Sequence, residues 1–320
     1  FGAQNAINEM LKDPILTKRL KAYSDGVNAY IESLDSEEYP VEYKLLGYAP
    51  EKWKPEKSAL LLMYMTDMLA GRDEDLENTN FLSLFGRETF DLLFPDFIAD
   101  QDPVIPRERD WSDFGTVDRP ESPEGVSKAI VQTKEVLDKP DPDNGSNNWA
   151  VNAEHSENGN PLLANDPHLG LNLPSIWYVM QLSAPDHNVM GATLPGALGV
   201  IIGFNDRIAW GVTNATRDVK DWYRIEFEDE TKKRYRYGEG WRDIREVIET
   251  IQVKGGQAVL DTVRYTHYGP ITYDENFKGN GRENLAMKWI GHLPNSNQNT
   301  FLSLNRAKNY EEYVKAVSTY

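Results

Sequence analysis

The sequence predicts an α+β protein, and three features of its 320 residues carry that prediction. Residues 1–115 place apolar side chains at helical spacing. Residues 146–320 break into short β-rich runs bounded by turn residues. Between them, residues 116–145 are rich in proline and charge, the composition of a spacer. The expected organisation is therefore a helical segment over 1–115, a linker over 116–145 and a strand-rich segment over 146–320.

In the first segment, Met10, Leu11, Ile15, Leu16, Leu20, Tyr23, Val27, Tyr30 and Ile31 recur every three or four residues. Pro40, Gly47, Pro50 and Pro55 then forbid one continuous helix and mark a connector. A second apolar helix is expected over 57–69, and a third over 77–94 with Gly86 as a break. The spacer holds one short helical pattern, 126–137, and ends on Asp138-Lys139-Pro140-Asp141-Pro142-Asp143-Asn144-Gly145. After Ser146, strands are expected around 149–151, 161–164, 177–182, 199–203, 209–213 and 222–227. Alternating strands flank Gly255-Gly256 within 247–268, and 299–317 returns to a helical period.

Lys and Arg number 34 against 51 Asp and Glu, a formal net charge of −17. Phosphate-backbone and anionic-lipid binding need clustered cations, so a nucleic-acid or membrane-surface partner is not expected. Cysteine is absent, which excludes disulfides, thiolate metal sites and a Cys nucleophile. No apolar run approaches the roughly 20 residues of a membrane span. The five histidines form no His-x-x-x-His pair, and neither a glycine-rich phosphate loop nor a Gly-x-Ser-x-Gly elbow occurs. Phe1-Gly2-Ala3-Gln4 has no initiator Met and no export signal, so the chain is expected to begin inside a longer protein.

The segment with chemistry is Gly145-Ser146-Asn147-Asn148-Trp149-Ala150-Val151. It sets a small nucleophile where an acidic spacer meets the first strand. A serine hydroxyl needs a nearby base. Cleavage before Ser146 would supply one on the same residue, because an α-amine titrates near ~7.7–8. Gly145 lets the preceding peptide bend towards the hydroxyl. On these residues alone, an ordinary Gly-Ser turn remains the alternative.

That segment resembles the start of the catalytic β-subunit in the penicillin acylase family of N-terminal-nucleophile hydrolases. Further blocks resemble the family in order: Gly159-Asn160-Pro161-Leu162-Leu163-Ala164-Asn165-Asp166-Pro167-His168-Leu169, then Leu194-Pro195-Gly196 with Gly203-Phe204-Asn205, then Ala209-Trp210-Gly211-Val212-Thr213-Asn214. Upstream, Tyr23-Ser24-Asp25-Gly26-Val27-Asn28-Ala29-Tyr30 and Leu46-Gly47-Tyr48-Ala49-Pro50-Glu51-Lys52-Trp53 are similar to its α-subunit. The resemblance implies an αββα sandwich with a helical α-subunit segment, an α/β heterodimer cut from one precursor between Gly145 and Ser146, and hydrolysis of a small N-acyl amide. Candidate substrates are β-lactam side-chain amides, acyl-homoserine lactones and similar amides. A periplasmic or secreted location is implied by the family.

The resemblance also carries roles to positions. Ser146 is the implied nucleophile. His168, 22 residues further on, would orient the amine or the acyl-enzyme. The backbone N–H of Asn214 would form half of the oxyanion hole. Met68, Arg72, Leu169, Ile202 and Val212 match acyl-pocket positions. Glu77, Asp218, Asp221 and the Lys220 carbonyl match a structural Ca2+ site, and hard oxygen donors suit that ion. The family's catalytic Asn falls beyond Tyr320, so this stretch alone is expected to be inactive. Two rivals stay open: a non-catalytic calcium- or ligand-binding homologue on the same fold, and a glycosidase using a carboxylate pair.

Overall fold

The computed structural model describes residues 2–70, 74–95, 145–215, 217–274 and 284–320. The expectations for Arg72, for residues 96–115, and for the spacer up to residue 144 with its 126–137 pattern lie outside the described residues. Helix and sheet are both extensive, which makes the chain α+β. No described helix is long and apolar enough to cross a membrane.

The helices follow from their sequence punctuation. Helix α1 (Gly2–Met10) buries Ala6, Ile7 and Met10, the three- and four-residue spacing of one face. Helix α2 (Pro14–Ser33) starts with Pro14 in its first turn, where proline's missing N–H costs nothing. The Asp13 carboxylate caps it by accepting from the Ile15 and Leu16 N–H groups at 2.8 and 3.2 Å. Those bonds hold the Asp13 pKa below its ordinary value. The expected connector contains a short helix, α3 (Val41–Leu46). Helix α4 (Pro55–Ala70) carries the second apolar pattern. Helix α5 (Glu74–Leu93) is interrupted at Gly86, φ 78° and ψ 168°, the break expected there and a conformation that needs glycine.

Two compact units emerge, and each draws on both the helical and the strand-rich segments. The first holds the described residues up to Ala70, those from Gly145 to Lys220, and those from Trp289 on. In it, β1 (Asn147–Val151) pairs antiparallel with β2 (Leu162–Asp166). A four-stranded antiparallel meander runs β3 (Tyr178–Ala184), β4 (His187–Thr193), β5 (Ile202–Asn205), β6 (Ala209–Trp210). Val189, Val200 and Trp210 pack there with Leu304 of α6 (Gln298–Leu304) and Ala316 of α7 (Tyr310–Val317). Helix α1 packs on α4.

The second unit contains α5 and the described residues from Asp221 to Lys288. Strand β7 (Lys220–Arg224) is at the edge of a three-stranded sheet, ordered β12 (Ile271–Tyr273), β13 (Leu285–Trp289), β7. Two hairpins complete it: β8 (Arg234–Tyr237) with β9 (Gly240–Asp243), and β10 (Arg245–Ile251) with β11 (Val259–Tyr265). Ile225, Tyr235, Ile271 and Ala286 form its core, with Tyr273 and Leu285 beside Leu76 and Trp222.

Three expected boundaries shift, each for a physical reason. The 199–203 strand begins only at Ile202, because the backbone of Val200 pairs with the Asn305 side chain rather than with a strand. The 209–213 strand ends at Trp210, because Val212 pairs with the Asn165 side chain. The 299–317 helix is two helices, and Asn309 caps the second by accepting the Glu312 N–H at 2.9 Å.

Candidate active site

Ser146 is half-buried and immediately precedes β1. Its Oγ accepts the backbone N–H of His168 at 3.1 Å. The register of the β1–β2 ribbon produces this contact. Asn147 stands opposite Asp166 and Asn148 opposite Asn165, so the chain leaving β2 passes beside the residue entering β1. The His168 ring turns elsewhere: its Nε2 lies 3.0 Å from Asp166 Oδ2. An ionised carboxylate only accepts, so Nε2 carries the proton in that pair. The contribution of His168 to the serine hydroxyl is thus its main-chain amide.

Asn165 joins the start of β1 to the segment after β6. Its Nδ2 donates to the Asn147 carbonyl at 3.1 Å and to the Val212 carbonyl at 2.9 Å. Its Oδ1 accepts the Val212 N–H at 3.0 Å. Two residues on, Asn214 is exposed, and its Nδ2 donates to the Leu69 carbonyl at 2.7 Å. Leu69 belongs to the last turn of α4, where carbonyls have no intrahelical donor, so the Asn214 side chain caps that helix.

An apolar cluster centres on Met65, Leu194, Ala197 and Ile201. Met68, Leu169 and Ile202 all pack against it. Trp177 packs there too, and its indole N–H is buried with no hydrogen-bond partner among the described residues.

The family model for penicillin amidase matches residues 1–320. The chain belongs to the penicillin amidase family. Among its curated relatives, it is similar to the acyl-homoserine lactone acylase QuiP of Pseudomonas aeruginosa, at 28% identity over 95% of this chain and 37% of that protein. It is also similar to the penicillin acylase 2 proenzyme of Pseudomonas sp., at 28% identity over 81% of this chain and 33% of that one. The penicillin G acylase of Escherichia coli matches at 23% identity over 79% and 35%. The chain therefore spans about a third of the length of these relatives. A solved thermostable penicillin G acylase from Alcaligenes faecalis matches at a TM-score of 0.48 and 25% identity, over 54% of this chain and 31% of that one.

Within this penicillin amidase chain, the structure gathers some of the expected residues. Ser146 and His168 meet, and Met68, Leu169 and Ile202 share one apolar cluster. Val212 stands outside that cluster, 38% exposed. Of the expected calcium ligands, Asp218, Lys220 and Asp221 lie within four residues of one another along the chain, the last two in β7. Glu77, Asp218 and Asp221 are exposed. Among the described residues, no three His, Asp or Glu side chains converge as a metal-holding group.

The sequence reading missed two features. Lys220, expected to act through its carbonyl, buries its side chain, with Nζ 3.4 Å from Asp67 Oδ1 and 5.9 Å from the centre of the Trp289 ring. Asn165 lies inside the Gly159-to-Leu169 block, whose pattern alone gives it no role. Its partner across the fold, Val212, is 47 residues away, and no periodicity encodes that distance.

Proposed function

We propose that this chain is part of an amidohydrolase that is matured by self-cleavage between Gly145 and Ser146 and acts through an acyl-enzyme on Ser146. The carrying observation is the placement of the serine hydroxyl at the mouth of the β1–β2 ribbon, held at 3.1 Å by the His168 amide. In the mature enzyme Ser146 Oγ attacks the substrate carbonyl while its proton passes to the free α-amine. The backbone N–H of Asn214 stabilises the oxyanion, an interaction worth a few kcal/mol in such sites. The amide C–N bond breaks, the amine leaves with that proton, and water then hydrolyses the ester.

The acyl group is apolar, bounded by Met68, Leu169 and Ile202, none of which pairs with a carboxylate. The names of the relatives cover two substrate classes, acyl-homoserine lactones and penicillins, and both present an N-acyl amide. The αββα sandwich, the α/β heterodimer and an export route belong to this same reading. Calcium supplies no catalytic step in it; its assignment to Glu77, Asp218, Asp221 and the Lys220 carbonyl rests on the resemblance and on their hard oxygens.

The test uses the full-length protein. Mass spectrometry is expected to show a product beginning Ser146-Asn147-Asn148-Trp149, and a chromogenic medium-chain N-acyl amide is expected to be hydrolysed. Ser146→Ala stays uncut and inactive. Parental hydrolysis by Ser146→Ala would place the chemistry elsewhere, and an intact, inactive parent would favour the non-catalytic homologue.

A further inference from the structure

We propose that Asn165 is a positioning residue: its side-chain amide couples the backbone beside the nucleophile to the backbone leading to the oxyanion donor. The inference rests on Ser146 being the nucleophile, and the experiment below separates the two.

The geometry is specific to this amide. Asn165 lies in β2, with its backbone opposite Asn148. Its side chain reaches back to the neighbouring strand β1 and across to the segment after β6. One Nδ2 hydrogen goes to the Asn147 carbonyl, in the second peptide after Ser146, at 3.1 Å, and the other to the Val212 carbonyl at 2.9 Å. Oδ1 takes the Val212 N–H at 3.0 Å. An Asn amide offers two donors and two acceptor positions, so three of its four capacities are used. Val212 stands two residues before Asn214, and His168, whose N–H meets Ser146 Oγ, follows Asn165 by three. One side chain thus braces the nucleophile, the amide that holds it and the approach to Asn214.

The surroundings fit that amide closely. A Cβ on Gly211 would sit 2.7 Å from Asn165 Cβ and Cγ and 2.9 Å from Oδ1. The backbone of Gly211 is not in the left-handed region, so glycine is needed here for room and not for its torsions. The site is also half-open, with Asn165 itself half-buried and Val212 38% exposed. Water can therefore replace the hydrogen bonds of this bridge, whereas it cannot reproduce their directions. The bridge acts on alignment.

Asn165→Asp tests this with almost no change of shape. It keeps the acceptor for the Val212 N–H and loses both donors. In the matured full-length enzyme, kcat on a chromogenic N-acyl amide is expected to fall by roughly 100-fold, the scale of an ångström misplacement at a reacting group. KM is expected to stay within about threefold, because Met68, Leu169 and Ile202 are untouched. The ratio of variant to parent kcat should then rise as pH falls through the new carboxyl's titration, because the protonated acid regains a donor. A residue needed only for folding would not give a pH-dependent rescue.

Asn165→Ala, read beside it, should lose kcat with no such rescue. If either variant stays uncut while keeping the parental melting transition, the same misplacement has blocked maturation, and that supports the proposal. A kcat within twofold of parent in Asn165→Ala overturns it, as does loss of the folded transition in both variants. Ser146→Ala is the separating arm. If it is inactive while Asn165→Ala is fully active, the nucleophile reading stands and the bridge has no role. If it is active, the underlying reading has failed.

Discussion

Asn165 and Asn305 make the same hydrogen bonds in two different settings. Each side-chain amide pairs with both backbone groups of one valine: Asn305 with Val200 at 2.8 and 2.7 Å, Asn165 with Val212 at 3.0 and 2.9 Å. Each valine follows a glycine that faces the amide. A Cβ on Gly199 would meet Asn305 Oδ1 at 2.5 Å, and one on Gly211 would meet Asn165 at 2.7 Å. The settings differ in water. Asn305 and Val200 are 2% and 0% exposed, whereas Val212 is 38% exposed. An amide clamp in the core is a stability device, because its loss strands backbone groups away from solvent. The same clamp at an open edge sets direction more than stability. Asn28 gives an intermediate case, pairing with both backbone groups of Trp53 at 2.6 and 3.0 Å in a partly buried place.

The largest expected effect follows from that contrast. Asn305→Ala leaves the N–H and C=O of Val200 buried without partners, a loss of about 3 kcal/mol at roughly 1–3 kcal/mol per stranded group. Urea unfolding of the full-length protein reads it. Asn165→Ala should cost about 1 kcal/mol or less by the same measurement while lowering kcat. Equal stability losses at the two sites would break the comparison.

The two glycines sharpen it. Gly199 has φ +77° as well as the close approach, whereas Gly211 has the close approach alone. Gly199→Ala therefore adds left-handed strain of roughly 1–2 kcal/mol to the steric cost, and should destabilise more than Gly211→Ala by about that margin. Gly211→Ala should instead show its main effect on kcat, by pressing on Asn165. If the two alanines are equally destabilising, the backbone torsion of Gly199 carries no penalty and the buried clamp is looser than its distances imply.

How much of this was legible beforehand depends on the range of the interaction. The helices were readable because their signals are local: the apolar period through Leu16, Leu20 and Val27, the apolar run of α4, and Gly86 as a break all act within a few residues. Ser146 stood out because Gly145-Ser146-Asn147-Asn148-Trp149 is a contiguous block that resembles the start of the family's β-subunit, whereas its residues alone fit an ordinary Gly-Ser turn. The clamps were not. Asn165 and Asn305 reach their valines across 47 and 105 residues, and both replace a ladder where a short run bounded by turn residues predicts a strand. The strand expected through Val200 starts late and the one expected through Val212 ends early for this one reason. The division into units was equally hidden, since each unit takes pieces from distant parts of the chain.

The smallest expected effect separates core from site by pH. Burial, reinforced by the charge of Lys220, pushes His292 down to about 4 from its ordinary 6.5. The folded state therefore holds this imidazole neutral where the unfolded chain binds a proton. Its contribution to stability is complete above about pH 6.5 and is lost as pH falls from there towards 4. On the proposed mechanism the α-amine of a mature Ser146 must be neutral to take the serine proton, and unperturbed α-amines titrate higher, near ~7.7–8. Activity should thus decline on acidification from about pH 8 while the melting temperature holds, and the melting temperature should decline only in the lower window. His292→Gln, a neutral polar replacement, should flatten the second decline and leave the first where it was. If the two curves fall together, the site and the core are not energetically separate, and the contrast drawn from the two clamps fails with them.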